Sequence, residues 1–60
     1  MQDPWQRARD YRRSAAFLRR QAVKSPFVDI RKEFLFLAEG YERLAASVEA
    51  EFPVARDHAA

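Results

Sequence analysis

The sequence predicts an all-α protein, an antiparallel helical hairpin that assembles as a homodimeric four-helix bundle. Three observations carry this. The large apolar residues Ile30, Phe34, Leu37, Tyr41, Leu44 and Val48 recur at alternating steps of four and three, the seam spacing of helices that pack lengthwise on other helices, as in a coiled coil. A second seam of mostly small residues, Ala8, Tyr11, Ala15, Leu18 and Ala22, keeps the same spacing. Between the two stands Ser25-Pro26, where helical geometry is disfavoured before the proline and the proline has no N–H to donate.

The first helix is expected over about residues 4–24. Asp3 is placed to cap it, Pro4 fits the first helical position, and Gln6 occupies the capping-box position. Trp5, Ala16 and Val23 form a weaker apolar stripe to one side, with Arg12 and Arg19 between the stripes, while Phe17 points away from both. A turn follows at about 25–28. Either Ser25 or Asp29 can cap the second helix, with Phe27 and Val28 as a plug for the end of the bundle. The second helix is expected over about 27–52, ending before Pro53, and spans roughly 36–40 Å at about 1.5 Å per residue. Gly40 lies in its middle, where glycine costs about 1 kcal/mol relative to alanine. Folding the hairpin about residue 26 sets Gly40 against Arg12 and Tyr41 against Tyr11, and close approach of a bulky side chain is then the candidate reason for the glycine. The same register sets Ala22 against Ile30, Leu18 against Phe34, Ala15 against Leu37 and Ala8 against Leu44, small against large. Residues 53–60, including His58, read as a flexible tail.

Sixty residues make one domain, 1–60, and a chain this short buries too small a share of its surface to be comfortably stable alone. With no cysteine and one histidine, disulfides and metal are set aside as staples, and partner subunits remain. The expected oligomer interface is Ile30, Phe34, Leu35, Phe36, Leu37, Tyr41, Leu44 and Val48, with a dimer favoured. Phe17, Leu35 and Phe36 lie on faces that one partner helix does not cover, which also fits docking of another protein.

Charge divides between the halves. Residues 1–26 carry seven basic and two acidic side chains and residues 27–60 carry four and seven, within a net charge of +2. In the register above, Arg19 falls near Glu33, and Arg12 near Glu39 and Glu42, so much of the charge has a mate inside the hairpin. Arg7, Arg9, Arg13, Arg20 and Lys24 are left as a basic stripe that can follow phosphates.

The segment R-x-x-F-L-x-L-A-x-x-Y-E-x-L-A, from Arg31 through Ala45, resembles the second helix of a group of short uncharacterised proteins of alphaproteobacteria. Tyr11-Arg12-Arg13, with Ala15, Leu18 and Ala22, is similar to their first helix. The resemblance implies a helical hairpin and no activity. This chain departs from the group at the turn, where those proteins often carry Asp-Pro about two residues later than Ser25-Pro26.

Catalysis is not expected. Glu39 with Glu42, and Glu49 with Glu51, have helical spacing, but the Glu-x-x-His pattern of di-metal bundles is absent. Ser14 and Ser47 lack a histidine to activate them, and a single glycine forms no phosphate-binding loop. No catalytic residue, metal site or cofactor is therefore expected. No apolar run is long enough to span a bilayer, and the N-terminus has no signal-peptide core, so the cytosol is the expected setting. The expected function is self-assembly or protein–protein interaction. The alternative is a Rop-like RNA- or DNA-binding dimer using the basic face of the first helix, without a sequence match to Rop.

Overall fold

In the computed structural model, which describes residues 3–52, the chain is all-helical, and two helices pack against each other. Helix α1 spans Pro4–Lys24 and α2 spans Val28–Glu51. The start of α1 follows from its first four residues. Asp3 is extended and its Oδ1 accepts the Trp5 N–H at 3.0 Å, satisfying one of the free amides of the first turn, with Pro4 at the position that needs none. The expected capping box does not form. Gln6 turns outward along the helix instead, its Nε2 donating to Asp10 Oδ1 and its Oε1 accepting from Arg9 Nη2, each at 3.0 Å.

Pro26 holds Ser25 extended, and α1 closes as the Ser25 N–H donates to the carbonyls of Gln21 and Ala22. The second helix begins at neither expected cap. Phe27 is the N-cap and offers no side-chain acceptor. The Ser25 hydroxyl is occupied with the backbone of Phe27, accepting its N–H at 3.3 Å, and Asp29 already lies inside the first turn, where its charge favours the helix dipole. Phe27 and Val28 plug nothing: at the end of the connection and the first position of α2, they are 63% and 56% exposed. At its far end α2 closes on Phe52, whose N–H reaches the Val48 carbonyl at 3.1 Å.

Contacts between the helices run in opposite order along α1 and α2. Trp5 meets Phe52 edge-on at 6.4 Å, Tyr11 meets Tyr41 at 6.0 Å, and Arg12 and Arg19 pair with Glu49 and Glu42. The hairpin is antiparallel, but its interior differs from the small-against-large expectation. Among the described residues the buried ones are all alanines, namely Ala8, Ala15 and Ala22 on α1 and Ala38 and Ala45 on α2, each at most 2% exposed. Leu37, Leu44 and Ile30, expected against Ala15, Ala8 and Ala22, are instead 47%, 47% and 44% exposed. Helix α2 is turned by about one residue, so that the alanine of each Leu-Ala step faces α1. Small side chains on both sides allow the backbones to approach closely, and dispersion between them replaces the missing volume of large side chains.

The rotation also moves the ion pairs. Arg19 meets Glu42 rather than Glu33, and Arg12 forms its ion pair with Glu49 while remaining near enough to Glu42, as expected, for the two charges to act on each other. Glu42 and Glu49 flank the alanine seam, whereas Glu39 points outward towards Arg43. Gly40 has no large neighbour either. Arg12 is engaged elsewhere, a Cβ added at Gly40 meets nothing within 4 Å, and its φ is not positive. Within the hairpin its cost of about 1 kcal/mol has no offset.

Candidate interaction surface

The two sides of the alanine seam differ in chemistry. On one side stand two bidentate ion pairs. Arg12 Nη2 and Nε donate to Glu49 at 2.6 and 3.1 Å, and Arg19 Nη2 and Nε donate to Glu42 at 2.7 and 3.1 Å. The spacing of seven between Arg12 and Arg19 matches that between Glu42 and Glu49, so both pairs form in a single register. The hydrogen bond to Glu49 raises Arg12 above its ordinary pKa, the bond to Glu42 does the same for Arg19, and the bond from Arg19 lowers Glu42. Exposed as they are, these pairs specify how the helices align more than they stabilise them.

The opposite side is apolar. Leu18 and Phe17 of α1 with Leu37 and Tyr41 of α2, rimmed by Asp10 and Arg13, line a surface groove of about 520 Å³. A second hollow of about 300 Å³, with Phe36, Gly40 and Leu44 in its wall, shares Leu37 and Tyr41 with the first. The second hollow lies on α2 alone, with Arg43 at its border, and adjoins the groove through Leu37 and Tyr41, making one trough that extends onto the outer face of α2. The separation into two sides follows from helical geometry: at about 100° per residue, Tyr11 and Leu18 lie on the same flank of α1, as do Leu37, Tyr41 and Leu44 on α2.

The eight residues expected at an oligomer interface divide in two. Phe34, Leu35, Tyr41 and Val48 are half-buried against α1, and Leu35 falls towards the ion-paired side. Ile30, Phe36, Leu37 and Leu44 are exposed, Phe36 the most at 68%. Phe17 is 52% exposed.

The five basic residues do not form one stripe. Arg9, Arg13, Arg20 and Lys24 share the outer face of α1, whereas Arg7 lies about 140° round the helix from Arg20. All five are exposed and none forms an ion pair among the described residues. Arg9 donates to Gln6, and Arg13 borders the apolar trough.

Among the described residues no group of three or more His, Cys, Asp or Glu is arranged to hold a metal, and no buried side-chain nitrogen or oxygen lacks a partner. His58 and the expected tail lie outside the described residues. No described helix is long and apolar enough to cross a membrane. Compared with protein-family models, curated proteins and solved structures, the chain matches none.

The interior role of Ala38 and Ala45 is hidden in the sequence by the larger apolar residues beside them, which dominate the spacing. A signal was present in the matched seven-residue spacings. Ala8, Ala15 and Ala22 answer Ala38 and Ala45, just as the two arginines answer the two glutamates.

Proposed function

We propose that this chain is a non-enzymatic, self-assembling hairpin whose apolar trough is covered by a second copy, making a homodimeric four-helix bundle. The observation that carries the reading is the exposure of Ile30, Phe36, Leu37 and Leu44 beside a core that, among the described residues, is made only of alanines. With Phe17, these side chains leave roughly 500 Å² open, taking about 200 Å² for each large apolar residue. That is the apolar share of a standard interface of about 800 Å² per partner. A bundle built on this side keeps the ion-paired side in water. The setting we assign is a bacterial cytoplasm, on the strength of the resemblance of α2 to the alphaproteobacterial hairpins.

Leu44→Asp tests the proposal. Leu44 is half-exposed in the single hairpin, so a carboxylate there is solvated in the monomer and desolvated in the bundle. Light scattering of the wild type is expected to give a dimer and of the variant a monomer. An unchanged dimer in the variant overturns this placement of the interface.

A second reading rests on the outer face of α1. Arg9, Arg13, Arg20 and Lys24 point away from the trough side or stand at its rim, and a two-fold axis doubles them. A Rop-like dimer that binds RNA or DNA through these residues is the alternative. Its test is the salt dependence of binding with Arg13→Glu and Arg20→Glu combined. Loss of affinity in the variant, and a fall in wild-type affinity on raising salt, support it. Salt-independent capture of a protein partner favours the interaction reading instead.

A further inference from the structure

We infer that the two copies cross at Gly40, with α2 of one lying antiparallel on α2 of the other and the two-fold axis passing beside this residue. The inference rests on the self-assembly reading and specifies its geometry. Gly40 sits at the midpoint of Val28–Glu51, so a crossing there gives each helix equal arms. It lies in the wall of the apolar trough, and a Cβ at this position meets no atom of its own hairpin within 4 Å. Its backbone is ordinary helix, without the positive φ that selects glycine. What glycine supplies here is therefore room above the helix surface, in the direction from which a second copy arrives.

The residues around Gly40 match themselves in reverse. An antiparallel two-fold contact places residues equally distant from the axis opposite one another. Phe36, four residues before Gly40, then faces the partner's Leu44, and Leu44 faces the partner's Phe36. These are large apolar side chains, both exposed in the single hairpin and both lining the same hollow. The order large, glycine, large along one row of the helix forms a ridge with a notch, into which the opposing backbone fits. Near the crossing no like charges meet: Arg43, which also borders the hollow, falls opposite Leu37 and Glu33 opposite Ser47, while Asp29 and Glu51 meet at the ends of the arms, about 16 Å from the axis. The exposed apolar area matches the apolar share of a standard partner face, which favours a second copy over a short peptide.

Two substitutions test the crossing. Alanine at residue 40 restores helix propensity, so Gly40→Ala in a lone hairpin is neutral or favourable; at the crossing it prises the helices apart and raises the dimer dissociation constant tenfold or more. Because the chain contains no cysteine, Gly40→Cys introduces one thiol whose disulfide reports only its distance from its own copy. Under air oxidation, at protein concentrations above the dissociation constant that a Cβ at residue 40 raises, Gly40→Cys is expected to give a covalent dimer at least tenfold faster than Ser47→Cys, whose thiols lie about 20 Å apart in this register. A wild-type dimer with both effects supports the crossing. A wild-type dimer in which Gly40→Ala binds as tightly, or in which Gly40→Cys cross-links no faster than Ser47→Cys, overturns the crossing and leaves assembly standing. A wild-type monomer at all concentrations overturns the assembly reading itself.

Discussion

Ala38→Leu is the most direct probe of how the hairpin is packed. Ala38 is 0% exposed and stands in a seam whose opposing residues are the buried Ala15 and Ala22. A leucine there adds three carbons where the backbones are close, and overpacking of this kind costs about 1–3 kcal/mol. The matched control is Ala16→Leu, the same chemical change on the exposed flank of α1, expected within about 0.5 kcal/mol of wild type. Urea unfolding followed by far-UV circular dichroism, at one fixed protein concentration, reads both. A hairpin with Leu37 inward, the arrangement that apolar spacing alone favours, would leave residue 38 at the edge of the contact, where leucine is tolerated or stabilising. An Ala38→Leu midpoint equal to or above wild type therefore refutes the alanine seam.

Other consequences follow at the helix ends and in the charges. Asp3→Ala removes the acceptor of the Trp5 N–H and is expected to cost about 1 kcal/mol in the same unfolding assay. Phe27→Asp supplies the cap that α2 lacks, at a position already 63% exposed, and should raise stability by about 0.5–1 kcal/mol; a lower midpoint counts against Phe27 as the N-cap. Acid should weaken the hairpin through Glu42. Its carboxylate is held below the ordinary 4.5 by the hydrogen bond from Arg19, so its contribution is complete above about pH 4.5 and is lost as pH falls through the lowered folded value. Urea midpoints of wild type and Glu42→Gln, compared across pH, should differ near neutrality and converge in acid.

Much of this architecture is legible in the sequence because its signals are local. Asp3-Pro4 starts α1, Ser25-Pro26 stops it, and Pro53 bounds α2, each through backbone chemistry confined to a few residues. The buried face of α1 is equally plain, since Ala8, Ala15 and Ala22 have little apolar competition around the helix. Helix α2 is harder. Its apolar stripe is wider than one partner helix covers, and hydrophobicity does not say whether Leu37-Leu44 or Ala38-Ala45 faces inward. Side-chain volume and the Arg–Glu register decide that, and both depend on the other helix. The start of α2 is illegible for a different reason: Ser25 and Asp29 have capping chemistry, yet the backbone at Phe27, a residue with none, marks the boundary. Spacing marks Leu37 and Leu44 as interface residues but also sets them against Ala15 and Ala8; their exposure follows only from the alanine seam, between whose residues they are too large to fit.

The central claim is that a second copy covers the apolar trough. Sedimentation velocity of the untagged wild-type chain, at low and high salt with circular dichroism on the same samples, tests it most directly. Apolar burial predicts a helical dimer at both salts, since screening weakens exposed ion pairs and leaves the trough unaffected. A helical, cooperatively folded monomer at every concentration and both salts contradicts it.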